Sequence, residues 1–380
     1  TVSLPEISAV SWSTFMTGTN PGTHGIFGFT DLKPGSYDMR FPSFRDLAVP
    51  TFWDRLGAAG KRCVVINQPA TYPAREINGV LISGFVAIDL RKALHPLGQL
   101  ANLERMGYRI DVDVTNPDGL FDDLHATLAG RERAAEHFWA SEDWDYFQVV
   151  VTGTDRLHHL RWDAWADAAR PQRQAFLDYY RAVDGFIERA RDRFDKLTGG
   201  LDGFHLLSDH GFDAIAQEVY LNAWLRGQGY LGYAKDGPES VADINGETKA
   251  FALDPGRIYV NVRGRFPRGG VERADVPGLK KELQSRLAGL EYEGQPVMRQ
   301  VFDAAEIYSG PLVDKGPDLV CLSHHGFDLK GSVKRAEVFA RTAFQGMHTW
   351  DDAFHWSAVP VKDDLNIADL ADIVTAPLVA

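Results

Sequence analysis

Short apolar runs bounded by Gly, Pro and acidic residues divide the 380-residue chain into alternating helix-like and strand-like segments. Helical spacing first occurs over residues 8–18, where Val10, Trp12, Phe15 and Met16 recur in SAVSWSTFMTG, with Ser8 at the N-cap position and Gly18 as the stop. It returns in TFWDRLGAAGK through Phe52 and Leu56, and RCVVINQP follows as an apolar strand closed by Pro69. GVLISGF repeats the strand signal. DYFQVVVTGTD and GFHLLSDHGF are continuous in apolar residues, the pattern of strands covered on both faces. Between them lies a long amphipathic helix with Phe176, Tyr180, Val183, Phe186 and Ile187 along one stripe. Further on, KAFALDPGRIYVNVRG predicts a hairpin, VPGLKKELQSRLAGL a helix and PDLVCLS a last core strand.

This alternation predicts an α/β fold with a mostly parallel central sheet and helices on both sides. Residues 86–134 depart from it. Within them RIDVDVTNPDGLFDDLHATLAG has the pattern of an edge strand followed by a helix, so the segment reads as a cap-like insertion over one face of the core. Residues 230–300 read as a second insertion, and both would shape access to a site.

Composition narrows the function classes. Apolar residues make up 44% and charged residues 24%, as in globular proteins, and no apolar run approaches the roughly 20 residues that span a bilayer. Acidic residues outnumber basic ones 52 to 40, with no basic block, which disfavours nucleic-acid polymers as partners. A phosphate-bearing substrate would then be met by metal ions rather than by a Lys/Arg surface. Cys63 and Cys321 fall inside strand-like runs and read as core thiols, which permits a reducing compartment and makes the cytoplasm the expected location. The pattern sets no oligomeric state. The chain opens on TVSL without Met and ends within the helix-like ADLADIVTAPLVA, so it reads as part of a longer open reading frame.

Parallel α/β sheets carry their sites at the carboxyl ends of strands. After DYFQVVV comes TGTDRLHH, where Asp155 and His159 stand one helical turn apart, able to share a metal, with His158 as a neighbour. After FHLLS come Asp209 and His210, adjacent in a tight loop. His348, in GMHTWDDAF, can complete a three-ligand set, and Asp351 and Asp352 would orient it or sit in a solvated loop. Asp and His suit zinc or manganese, and two such ions stabilise both attacking and leaving oxygens of a phosphoryl transfer. Ser8, at a helix N-terminus where a phosphate is also favoured, is either a cap or a metal-activated nucleophile. His24 would order the PGTHGI loop. His324 and His325 could line the site, and Thr248 and Lys249 could reach a substrate phosphate.

Taken together, ISAVSWSTFMTGTNPGTHGIF, TGTDRLHH, SDHGF and GMHTWDDAF resemble the alkaline phosphatase superfamily, in its type I phosphodiesterase/nucleotide pyrophosphatase branch. The resemblance implies an alkaline-phosphatase-like three-layer α/β/α sandwich and a hydrolase of small phosphate esters or nucleotides. It also implies two divalent ions, zinc first and manganese second. By that likeness Ser8 is the nucleophile that becomes phosphorylated. Asp155, His159 and His348 would hold one metal; Asp209 and His210 would hold the other, which also binds Ser8. Ser8 would attack phosphorus and expel an alcohol or phosphate, and water would then release the product. Two departures stand out. The family's further Asp ligand, at the end of a strand upstream of the nucleophile, would precede Thr1, and Phe29 stands where nucleotide pyrophosphatases place a phosphate-binding Asn. The alternatives are a phosphomonoesterase of the same superfamily or a non-catalytic binding module. A sulfatase would need a Cys near Ser8, and a phosphoglycerate mutase a larger insertion.

Overall fold

The computed structural model describes residues 4–362 and 364–379, so most of the strand-like TVSL start lies outside the described residues. Helix α1 (Ser8–Thr17) is stopped by Gly18 in the left-handed conformation, and α2 (Phe52–Ala58) starts at a Thr51/Asp54 capping box. Strands β1 (Cys63–Gln68) and β2 (Gly79–Ser83) follow, with the two-residue β3 (Leu94–His95). Helix α3 (Leu120–Ser141) leads into β4 (Tyr146–Val149), then α4 (Gly153–Ala166) and α5 (Arg173–Thr198). Next come β5 (His205–Leu207), β6 (Gly211–Ala214) and β7 (Gln217–Tyr220), and then the hairpin β8 (Ala250–Leu253) and β9 (Arg257–Val260). Helix α6 (Val276–Ala288) precedes β10 (Met298–Asp303), β11 (Leu319–Ser323) and β12 (Phe327–Lys330). The chain closes with β13 (Gly346–Thr349), β14 (His355–Ser357) and α7 (Asp369–Val379).

β2, β1 and β4 pair in parallel, with β3 antiparallel at one edge. Side chains alternate across this sheet and so build two cores. Cys63, Val65 and Leu81 pack on Trp12, Phe15 and Met16 of α1 and on α2 and α7; Val64, Ile66, Val80 and Ile82 pack on Leu103, Tyr108 and Phe138 on the other side. The result is three layers, helices over sheet over helices. A separate antiparallel sheet, β8–β9–β11–β10, forms its own core with α6, and PDLVCLS belongs to it as β11. Residues 109–119 form bends and turns instead of the expected edge strand. Val112 N–H and Asp113 N–H are satisfied by Asp carboxylates rather than by a neighbouring strand.

β4 and β5 were expected to be covered on both faces, yet every residue of both is only half-buried. Among the described residues each is paired on one side alone, β4 with β1 and β5 with β14. Both border one cavity of about 1230 Å³ that runs to Ser8 and Asp209, so their apolar continuity fits a sheet interior open along one slot.

His24 fixes the loop after α1, as expected. Its Nδ1 accepts from Ile26 N–H at 3.1 Å and its Nε2 faces Thr14 Oγ1 at 3.1 Å. Burial pushes its pKa down to about 3, so the folded ring stays neutral while the unfolded one titrates near 6.5. Below 6.5 the unfolded chain binds a proton that the folded chain refuses, and stability falls with acidification towards pH 3. Replacing His24 with Gln should therefore make stability, measured by urea unfolding, fall less steeply between pH 6.5 and 4.5 than in the parent. Parallel slopes would contradict this account of the ring.

Candidate functional site

Four pieces of chain meet beyond the carboxyl ends of β4 and β5. Ser8 comes first. Ile7, extended at φ −132 and ψ 134, is the N-cap of α1, so Ser8 is the first helical residue and not the cap expected from its sequence. The Ser8 side chain meets His210 Nε2 at 3.0 Å. Asp155 and His159 lie one turn apart on α4, which begins just after β4. Asp209 and His210 occupy the turn between β5 and β6. The antiparallel pairing of β6 with β13 then sets His348 opposite Phe212, and the His348 ring stacks on His210 with centroids 3.5 Å apart.

The hydrogen bonds assign the imidazole protons. His159 Nδ1 lies 2.8 Å from Gly346 O, His210 Nδ1 3.0 Å from Gly211 O, and His348 Nδ1 3.0 Å from Glu6 O. A carbonyl only accepts, so each Nδ1 carries its hydrogen and each Nε2 presents a lone pair. Those lone pairs converge. Asp155 Oδ1 lies 3.1 Å from His348 Nε2, 3.5 Å from His159 Nε2 and 3.8 Å from His210 Nε2. His159 Nε2 and His348 Nε2 stand 3.0 Å apart, and Asp209 Oδ2 is 3.3 Å from His210 Nε2. These contacts join all six expected residues into one cluster and do not divide them into two groups.

Burial pushes His348 down to about 3, helped by His210, and it also lowers His159. Both rings are therefore neutral at pH 7, the form that ligates. Burial alone would raise the Asp155 carboxyl, but the His159 and His348 rings and Arg156 outweigh it and hold the group well below its usual range. Asp209 goes the other way, raised by burial, and its Oδ2 is buried without a hydrogen-bond partner among the described residues. Two lone pairs at hydrogen-bond distance and an orphaned buried carboxylate oxygen are each costly unless a cation lies between them. Asp155, His210 and His348 offer donor atoms within 4.8 Å of one another, and the donor set fits a divalent ion of the zinc type.

Several neighbours were not visible as site residues in the sequence. Arg156 Nη1 holds Asp155 Oδ2 at 3.0 Å, its Nη2 holds Asp111 Oδ2 at 2.6 Å, and its guanidinium lies 4.1 Å over the Phe85 ring. Arg156 was inside the TGTDRLHH motif, but Asp111 and Phe85 arrive from loops that only the fold brings near. Glu6, pushed up to about 7 by burial, flanks Ser8 with its Oε2 buried and unpartnered among the described residues. Phe29 stacks on Phe85 with centroids 5.2 Å apart.

Other candidates go elsewhere. Asp351 bonds His325, which also bonds Asp213, and Asp352 accepts from Thr349, so neither Asp orients His348. The reason is that β13 points Nδ1 of His348 at the Glu6 carbonyl instead. Thr248 is buried and bonded to Gly232, and neither it nor Lys249 borders the cavity that holds Ser8. His158 bonds Tyr180 at 2.7 Å.

Comparison with known proteins gives one family and a consistent fold. The family model described as type I phosphodiesterase/nucleotide pyrophosphatase matches residues 1–351. The phosphonoacetate hydrolase of Sinorhizobium meliloti, solved with phosphonoformate, has a TM-score of 0.56 at 16% identity, covering 99% of this chain and 86% of that one. The alkaline phosphatase PafA gives 0.55 at 14% identity, covering 99% and 87%. Murine ectonucleotide pyrophosphatase/phosphodiesterase 5 gives 0.53 at 12% identity, covering 100% and 85%. At such identities the likeness is one of fold. No curated protein matches the chain.

Gly346 tests the dependence of the cluster on its carbonyl partners. A Cβ there would lie 2.5 Å from the His158 carbonyl oxygen and would push α4 from β13, moving His159 away from His348. The Gly346→Ala protein should bind zinc roughly 10- to 100-fold more weakly by calorimetry, the usual cost of losing a ligand's supporting bond. Unchanged zinc affinity would show that this carbonyl is dispensable.

Proposed function

The chain belongs to the type I phosphodiesterase/nucleotide pyrophosphatase family and is a phosphoric ester hydrolase, and on that premise we propose that it cleaves small phosphate esters through a phosphorylated Ser8 at a centre of two divalent ions. The observation that carries this reading is the convergence of three Nε2 lone pairs on Asp155, each fixed by an Nδ1–H bond to a main-chain carbonyl. The nitrogen-rich donor set favours zinc over manganese.

In this reading His159, His348 and Asp155 hold one ion, and Asp209 and His210 hold the other beside Ser8. Bound there, the ions would supply Lewis-acid stabilisation of phosphoryl oxygens and lower the pKa of the Ser8 hydroxyl. Ser8 Oγ attacks phosphorus in line and the alcohol leaves from the opposite face. The N–H groups of the first turn of α1 and the positive end of its dipole favour the phosphate oxygens. Arg156, tied to both Asp111 and Asp155, keeps the second oxygen of Asp155 out of the cluster and so sets which oxygen ligates. Water then attacks the phosphoserine and frees the product and Ser8.

Residues 86–134 and 230–300, read as insertions, both contribute to a second cleft beside the cluster, Ile88 and Asp111 from the first and Asp254 from the second.

Ser8→Ala should reduce turnover of bis(p-nitrophenyl) phosphate by roughly 10³-fold or more while the zinc content per chain stays the same. Turnover equal to the parent's would remove Ser8 from the nucleophile's role.

A further inference from the structure

The second cleft, of about 590 Å³, opens beside the cluster and shares Glu6, Arg156, His159 and His348 with it. Its walls are mainly apolar, including Phe85, Leu160, Phe327 and Met347. Its rim exposes large apolar side chains to water: Ile88 is 88%, Val114 47% and Phe344 46% exposed. Exposed apolar residues gathered around one opening mark a place where an apolar group is received.

The charges in the cleft restrict that group further. Both cations are already committed, Arg156 to Asp111 and Asp155 and Lys330 to Asp328 at 2.5 Å. Asp254 accepts from Gly331 N–H and brings no cation with it. Glu6, one of the residues that line the cleft next to the cluster, has its Oε2 buried and without a hydrogen-bond partner among the described residues. A second phosphate or a carboxylate on the substrate would meet the carboxyl groups of Glu6 and Asp254 with no uncommitted cation among the described lining residues. A hydrogen-bond donor would satisfy Glu6 at once. Phe29 and Phe85, stacked on each other near Ser8, extend the apolar surface to where the phosphate would sit.

We infer that this cleft receives the organic group of the substrate, and that this group is a largely apolar alcohol with no further anionic charge and with a hydroxyl or ammonium donor near the ester for Glu6 to accept. The inference rests on the phosphate-ester reading of the adjoining cluster. It separates this protein's substrates from pyrophosphates and other polyanionic esters, whose extra charge the cleft rejects.

The test uses the zinc-loaded protein and four p-nitrophenyl diesters, in which the second ester group is p-nitrophenyl, benzyl, 2-amino-2-phenylethyl or 2-carboxyethyl. kcat/KM should rank the aminophenylethyl ester above the benzyl ester, and the benzyl ester about tenfold or more above the carboxyethyl ester. Benzylphosphonate should likewise bind more tightly by calorimetry than 2-carboxyethylphosphonate. In Glu6→Gln the ratio of aminophenylethyl to benzyl turnover should fall to about one, whatever the absolute rate. Equal turnover of all four esters, preference for the carboxyethyl ester, or an unchanged ratio in Glu6→Gln would overturn the cleft assignment while leaving the hydrolase intact. Failure to turn over even bis(p-nitrophenyl) phosphate would contradict the proposed function itself, and the cleft assignment with it.

Discussion

Each imidazole of the cluster donates its Nδ1–H to a main-chain carbonyl, His159 to Gly346, His210 to Gly211 and His348 to Glu6, and the placement of the other functional groups follows from those three bonds. The bonds fix the tautomers, so the Nε2 lone pairs face inward. Two of them also tie three separate pieces of chain together, the approach to α1, helix α4 and strand β13, while the His210 bond stays within the β5–β6 turn. Two of the acceptors are glycines set against close neighbours, Gly346 beside the His158 carbonyl and Gly211 beside Asp352 and Thr349, so the backbone can come near enough for the bonds to form. Burial then keeps His159 and His348 neutral, and Arg156, bonded to the second oxygen of Asp155, favours its ionised form. Backbone geometry and electrostatics thus favour the same protonation states.

The chain's acidity has a local counterpart. With a formal charge of −12, the protein has little positive charge to spend on a phosphate. Around the cluster Arg156 and Lys330 are already paired with carboxylates. Positive charge for an anionic substrate must therefore come from bound cations and the N-terminus of α1, which is also where Ser8 lies. The same pairing leaves the neighbouring cleft largely apolar, with the buried Glu6 Oε2 unpartnered among the described residues, so one electrostatic arrangement bears on both the proposed reaction and the proposed choice of substrate.

Strand ends and their Asp/His pairs were readable because a parallel strand places whatever follows it at the site, and two apolar runs here are followed by Asp and His. His348 was readable only as a late candidate, since its position depends on the register of β13 against β6. The reading of Ser8 erred by one residue: a Ser before an apolar run matches the capping pattern, and only the extended Ile7 shows that the helix begins at Ser8 itself. Half-burial of β4 and β5 was hidden because apolar continuity reports what covers a strand's faces and says nothing about its edges. Glu6, Asp111 and Phe85 carried no local signal, as each acts through contacts with distant segments. Asp351 and Asp352 left two readings open because nearness in sequence to His348 need not become contact in space, and both are exposed, as the solvated-loop reading had it.

The central claim, that Asp155, His159, Asp209, His210 and His348 hold two ions beside a nucleophilic Ser8, is tested most directly by a crystal of the protein grown with zinc and measured across the zinc edge. The account predicts two anomalous peaks roughly 3.5 to 4 Å apart, one within bonding distance of Asp155, His159 and His348 and the other of Asp209, His210 and Ser8 Oγ. An empty cluster at millimolar zinc, or peaks bound only elsewhere on the surface, would contradict it.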